Sequence, residues 1–164
     1  MQHIKFISSA NQNGIYALLH KGKLQYIGKS VSILSRIPQH TGKFPFDEAI
    51  VMPVIDLWDS THRIERQLID IYQPPYNRQG TAGNRKELSI QERLNEVINE
   101  YDQEWQKDAL YSDEHGVNGW LLYHPLPIPK AEDIDAVFRT IRSYETRSSL
   151  APCLYTESEV GDAL

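Results

Sequence analysis

The chain has 164 residues, 40% of them hydrophobic and 24% charged, which is the make-up of one globular domain or of a domain with a sizeable extension. One cysteine, Cys153, excludes an internal disulfide framework and a cysteine-based zinc site; no apolar run is long enough to span a bilayer, and "MQHIKFISSA" lacks the pattern of a signal peptide, so we expect a cytoplasmic protein with no membrane partner. The net charge of −5 argues against a strongly basic nucleic-acid binder, but it is unevenly spread: residues 1–84 sum to +3 and residues 85–164 to −8, leaving the first half free to meet a polyanion and the acidic half free to meet a protein partner.

In chain order, residues 14–20 and 24–28 alternate and are rich in strand formers, which predicts a β-hairpin. A two-residue turn at Lys21-Gly22 sets Tyr16 across from Ile27. A three-residue loop, His20-Lys21-Gly22, sets Tyr16 across from Tyr26 and Leu18 across from Leu24. The second register is preferred, because Gly22 then occupies the left-handed position and both phenols project from one face. Ser30 is expected to cap a helix containing Val31, Leu34 and Ile37, kinked or ended by Pro38. Residues 49–58, "AIVMPVIDLW", read as a buried strand with an edge or bulge at Pro53. Asp59 or Ser60 then caps a helix with Ile64, Leu68, Ile71 and Tyr72 at helical spacing, terminated by "QPPYN".

Composition shifts at residues 80–86, a linker. Ser89 and Glu92 form a capping box ahead of an amphipathic helix carrying Ile90, Leu94, Val97, Ile98, Tyr101 and Trp105. Trp120 to Tyr123 offers a short strand, followed by a proline-stiffened run to residue 129. A further helix places Ile134, Val137, Phe138, Ile141 and Tyr144 on one face. The expected organisation is a domain over residues 1–80, a mostly helical acidic extension over 87–147, and a loosely held tail over 148–164.

Among the polar residues of the first half stand, in order, Tyr16, Tyr26, Lys29, Arg36, His40, Glu65 and Asn77. Taken singly each has an ordinary explanation: a cross-strand aromatic pair, solvated helix charges, a turn asparagine. Taken together they suit phosphodiester hydrolysis, which needs a metal ion, a base for water and a cation for phosphate charge. His62, three residues before Glu65, reads either as a solvated helical histidine, the preferred reading, or as a side chain that reaches the same cleft. His115 and His124 lack metal-pair spacing, and Trp120 with Tyr123 reads as part of a second core.

Gly14-Ile15-Tyr16, Tyr26-Ile27-Gly28, Lys29, Arg36, His40, Glu65 and Asn77 resemble, in order and spacing, the motif of the GIY-YIG nucleases over residues 13–78. The resemblance implies an α+β fold, a small three-stranded antiparallel sheet flanked by helices, here with a mostly helical C-terminal extension. It implies a DNA endonuclease using Mg²⁺, with Mn²⁺ as a substitute. Glu65 would be the single metal-binding carboxylate, Arg36 would hold the scissile phosphate, and Tyr16 or Tyr26 would be the base, with Lys29 and Arg36 as cations that ease phenol ionisation. His40 would handle water or the leaving group, and Asn77 would brace the site. The alternative is a catalytically silent nucleic-acid-binding or regulatory protein on the same fold.

Overall fold

The computed structural model describes residues 3–6, 13–54, 58–77, 88–114 and 125–155. The chain divides into two compact units, Met1–Leu88 and Ser89–Leu164. It is an α+β protein. The first unit contains β1 (His3–Phe6), β2 (Gly14–His20), β3 (Lys23–Ser30), α1 (Ile33–Arg36) continued by a 3₁₀ turn (Ile37–His40), β4 (Glu48–Pro53) and α2 (Trp58–Tyr72). The second contains α3 (Ile90–Glu114) and α4 (Ile134–Tyr155). Among the described residues no helix is long and apolar enough to cross a membrane.

Strands β4, β2 and β3 form the expected antiparallel trio. Strand β1 adds a fourth, parallel strand on the outside of β4, giving the order β1-β4-β2-β3. This strand, "HIKF", is not among the expected elements. Pro53 is the last residue of β4, beyond the point where β1 pairing stops at Val51, so its missing N–H faces no β1 partner.

The hairpin register differs from both expectations. Lys21 and Gly22 both have positive φ, 51° and 73°, the backbone of a two-residue hairpin turn. His20 therefore pairs with Lys23 and Leu19 with Leu24. A bulge between Leu18 and Leu19 then shifts the ladder by one, so that Leu18 faces Tyr26 and Tyr16 faces Gly28. The bulge returns the even-numbered residues of both strands to one face. Tyr16 and Tyr26 thus share a face as expected, but as diagonal neighbours with ring centroids 6.1 Å apart.

That face carries Tyr16, Leu18, Ala49 and Val51 against Ile33 and Ile37, with Tyr26, Phe44 and Phe46 packed at its border. The buried residues of α1 and its 3₁₀ turn are Ile33, Ile37 and His40, whereas Val31 is 66% exposed and Leu34 is also exposed. Ser30 ends β3 and is not the helix cap; its hydroxyl accepts the Ser32 N–H at 3.0 Å, and Ser32 stands at the cap. Pro38 changes the helix from α to 3₁₀ instead of breaking it. The opposite face of the sheet carries buried Ile15, Ala17, Ile27 and Met52. Helix α2, which buries Thr61, Ile64, Leu68 and Ile71, packs on β3 and β2. Because α2 begins at Trp58, Asp59 and Ser60 are inside it and neither is its cap.

Strand β3 is the free edge of the sheet, and the turn after α2 closes it. Helix α2 ends at Tyr72 and is followed by Gln73, whose φ of 48° and N–H to Ile69 C=O (2.8 Å) make a left-handed stop before Pro74 and Pro75. The Tyr76 N–H then donates to Gln25 C=O at 3.1 Å. Asn77 continues the pairing with its side chain: Oδ1 accepts the Ile27 N–H at 2.9 Å and Nδ2 donates to the Ile27 C=O at 2.7 Å. One amide thus stands in for a missing strand residue.

In the second unit the capping box at Ser89 and Glu92 forms in both directions, Ser89 N–H to Glu92 Oε2 (2.7 Å) and Glu92 N–H to Ser89 Oγ (3.2 Å). Asp133 Oδ1 caps α4 by accepting the N–H groups of Asp135 and Ala136, each at 3.1 Å. Leu94, Ile98, Tyr101 and Trp105 of α3 are buried, as are Ile134, Val137, Phe138, Ile141 and Tyr144 of α4. Tyr101 and Tyr144 stack at 5.2 Å, and the Tyr101 hydroxyl donates to buried Glu145. Helix α4 runs on to Tyr155, past the expected start of the tail at residue 148. The expected strand at 120–123, His115 and His124 lie outside the described residues.

Replacing Asn77 with Ala removes two hydrogen bonds and leaves both Ile27 backbone groups beside a cavity. Urea denaturation is expected to show a loss of about 1–3 kcal/mol with an unchanged m-value. No change in midpoint removes the edge-closing role.

Candidate active site

Tyr16 is fully buried in the middle of the sheet, and its ring extends along β3 over Gly28, directly opposite it. A Cβ built on Gly28 would lie 2.7 Å from the Tyr16 hydroxyl and 2.6 Å from a Tyr26 ring carbon. Glycine is required there for space. Gly14 is required for a related reason, since with φ 154° its Cβ would meet the Met52 carbonyl oxygen at 2.4 Å.

The Tyr16 hydroxyl is 2.8 Å from Nε2 of His40, and this hydrogen bond is buried. His40 reaches it because the 3₁₀ turn winds tighter than an α-turn, bringing residue 40 inward while residue 36 stays at the surface. Burial, with the charges of Arg36 and Lys43, holds the His40 pKa below its ordinary value, so the ring is neutral at neutral pH. Its Nδ1 is buried without a partner. An unpaired lone pair costs less than an unpaired N–H, so we assign the proton to Nε2, which donates to the Tyr16 oxygen.

Both phenols are harder to ionise than a free tyrosine. Tyr16 is raised far above its ordinary value by burial first and then by Tyr26, partly offset by a polar contact with Arg36 and by its charge. Tyr26 is raised by burial and by the negative charge of Glu65, and is drawn back by Arg36 and by the Tyr16 hydroxyl. The expectation that nearby cations ease phenol ionisation holds in direction for Arg36, without outweighing burial. The Lys29 ammonium is engaged elsewhere.

Lys29 turns instead to α2. Its Nζ is 3.8 Å from Glu65 Oε2 and 2.8 Å from His62 Nδ1, and its backbone N–H also faces the Glu65 carboxylate. Glu65 therefore sits at the same β3 edge that Asn77 closes, one outward-facing residue further along. It is 16% exposed, and burial raises its pKa despite Lys29 and His62. His62 is exposed, as the preferred reading has it, and is also engaged at the Glu65 site, as the alternative has it. With the Lys29 ammonium donating to it, its Nδ1 acts as an acceptor, and the 3.7 Å approach of that atom to Glu65 is not a hydrogen bond. The sequence signal for His62 was its place three residues before Glu65, one turn along the same helix.

Tyr16, Tyr26, Arg36 and His40 therefore form one cluster, and the Glu65 charge is felt at both phenols. Lys29 holds Glu65 from the side, and Asn77 touches backbone only. Arg36 Nη1 is steadied by Gln39 Oε1 at 2.7 Å, a partner the sequence reading did not single out. Among the described residues no three His, Cys, Asp or Glu side chains gather as a metal-ligand group. A single desolvated carboxylate suits a hard cation that keeps most of its waters, and it does not suit a closed zinc-type site. No family model, curated protein or solved structure matches the chain.

Adding a methyl group at Gly28 (Gly28→Ala) should cost about 1–3 kcal/mol by overpacking, measured by urea denaturation. Unchanged stability removes the close approach of Tyr16. Glu65→Gln should act in the opposite direction. Because the folded-state pKa of Glu65 is raised, the wild type loses stability as pH rises from the unfolded value of about 4.5 through the folded value. The variant should therefore have the higher urea midpoint at pH 7, and the difference should vanish below pH about 4. A lower midpoint at pH 7 overturns the assigned burial of charge.

Proposed function

We propose that this chain is a divalent-metal-dependent DNA endonuclease of the GIY-YIG type. The observation that carries the reading is the convergence of one carboxylate, one guanidinium and two phenols from β2, β3, α1 and α2 onto one end of the sheet. The motif residues supply it, and nothing in a four-stranded sheet of this size requires a desolvated Glu65 near one buried and one half-buried phenol.

Glu65 is the residue that would hold Mg²⁺ or Mn²⁺, displacing the Lys29 ammonium from its carboxylate. Such an ion would supply Lewis-acid polarisation of the phosphate and a more acidic attacking water. Arg36, exposed and steadied by Gln39, takes the scissile phosphate and offsets the charge that develops on it. Of the two phenols, Tyr26 is the better base. Tyr16 is wholly enclosed and accepts from His40, whereas Tyr26 is partly open and has the Tyr16 hydroxyl as a donor to its oxygen. Tyr26 acts from its ionised form: as the water oxygen bonds to phosphorus and the P–O bond to the leaving oxygen breaks, the water proton passes to the Tyr26 phenolate, and the line His40 Nε2–H, Tyr16 O–H, Tyr26 oxygen offsets part of the burial that disfavours that phenolate. Asn77 fixes Ile27, hence the direction of its neighbours Tyr26 and Gly28.

A second reading, a non-cutting nucleic-acid-binding module, is favoured by one observation: the Lys29 ammonium already neutralises Glu65. Supercoiled plasmid incubated with Mg²⁺ or with chelator separates the two. We expect metal-dependent nicking, reduced on the order of 100- to 1,000-fold by Arg36→Ala and by Glu65→Ala. Tyr26→Phe should lose more rate than Tyr16→Phe. Mg²⁺ should raise the melting temperature of wild type and leave that of Glu65→Gln unmoved. Full nicking by Glu65→Ala, or a metal-induced shift that survives in Glu65→Gln, removes the metal assignment. Absence of any metal-dependent break favours the second reading.

A further inference from the structure

The aromatic cluster does not stop at the catalytic phenols. From Tyr26 and His40, each with ring centroid 4.8 Å from the other, the series passes to Phe44, 5.4 Å from both. Phe44 in turn carries Tyr76 stacked on it at 4.8 Å with an interplanar angle of 18°. Tyr76 is 42% exposed, although it is large and aromatic, and its backbone is fixed by Pro74, Pro75 and the N–H to Gln25 C=O. A rigid ring half open to solvent, two ring contacts from the catalytic cluster by way of Phe44, is a platform presented at little entropic cost.

The neighbouring surface has the matching chemistry. Residues 41–46 line a shallow concavity whose wall is Phe44 and Phe46 and whose exposed cation is Lys43. Lys43 makes no ion pair with any described residue, and its charge is felt at His40, which places it on the site side. A flat aromatic face with a cation beside it recognises a nucleobase and its phosphate. In an intact duplex both faces of each base are covered by stacked neighbours, so only an unpaired or extruded base can use such a platform.

We propose that Tyr76, backed by Phe44, stacks an unpaired base next to the scissile phosphate, with Lys43 on a flanking phosphate, so that the substrate class is nucleic acid with single-stranded character at the cut: a flap, a gap or a free strand. This rests on the nuclease reading for the position of the scissile phosphate, but base stacking itself is measurable without cleavage.

The test is fluorescence anisotropy of the full chain in chelator, at one fixed salt concentration, with three labelled DNAs: a single strand, its blunt duplex, and the duplex with a short unpaired flap. Wild type should bind the single strand and the flap at least about tenfold more tightly than the blunt duplex. Tyr76→Ala should weaken those two by about 5- to 150-fold, the range of one lost base stack, while leaving the blunt duplex within about twofold. Tyr76→Trp should restore the preference, and a thermal melt equal to wild type for both variants separates stacking from unfolding. Lys43→Gln should weaken all three and reduce the salt slope by about one. Equal affinity for blunt and unpaired DNA, no effect of Tyr76→Ala, or a Trp variant no better than the Ala variant overturns the proposal, as does absence of binding to all three. If the unpaired preference is present but Mg²⁺ produces no breaks, the nuclease reading falls and the platform stands. If breaks occur with no Tyr76-dependent preference, the reverse holds.

Discussion

The first unit depends on one phenol lying across a glycine. Tyr16 is enclosed on every side, and its ring can lie flat over β3 only because the residue opposite, Gly28, has no side chain. That placement brings its hydroxyl to His40 and sets Tyr26 beside it as a diagonal neighbour. The bulge at Leu18/Leu19 is part of the same constraint. A two-residue turn extended without it would have put Tyr16 and Tyr26 on opposite faces, separating the catalytic candidates by the thickness of the sheet.

The edge of β3 is the second organising feature. Alternate residues along it, Gln25, Ile27 and Lys29, turn backbone groups outward, where an open edge would invite pairing with another chain. Each is met in turn by the Tyr76 N–H, the Asn77 amide and the Glu65 carboxylate. Closing the edge and placing the site are therefore one structural act. The strand that carries Tyr26, Gly28 and Lys29 is held by the segments that carry Asn77, Tyr76 and Glu65. The electrostatic consequence is unfavourable to stability, because a carboxylate and two phenols are kept out of water near one another, each less willing to ionise than in a free chain. Sites that bind and act on charged substrates commonly hold such disfavoured groups.

The second unit has its own core and its own polar arrangement, with the stacked Tyr101 and Tyr144 bonded to Glu145 and Asp102. Dividing the charges at the observed boundary sharpens the asymmetry: residues 1–88 sum to +4 and residues 89–164 to −9. Basic character is thus confined to the unit that carries the candidate site, which suits a polyanionic substrate for that unit and gives the acidic one no comparable attraction.

Strong periodicity made α2, α3 and α4 legible, along with their buried faces at Ile64, Leu68 and Ile71, at Leu94, Ile98 and Tyr101, and at Ile134 through Tyr144, because burial on one face of a helix leaves a 3.6-residue trace in the chain itself. The capping box at Ser89 and the stop at Pro74 were legible for the same local reason. The candidate site residues could be named from their types and order, since chemistry restricts which side chains can serve. Tertiary structure alone decided the rest. The strand β1 alternates polar and apolar residues over only four positions, the shortest run that carries the signal, and its partner is more than forty residues away. A bulge is settled by packing on the far side of the ladder, so the pairing of Tyr16 with Gly28 could not be counted off from the turn. The direction in which Lys29 points, and the sign of the phenol pKa shifts, follow from burial. Burial belongs to no single residue: it depends on what the remainder of the fold places around it.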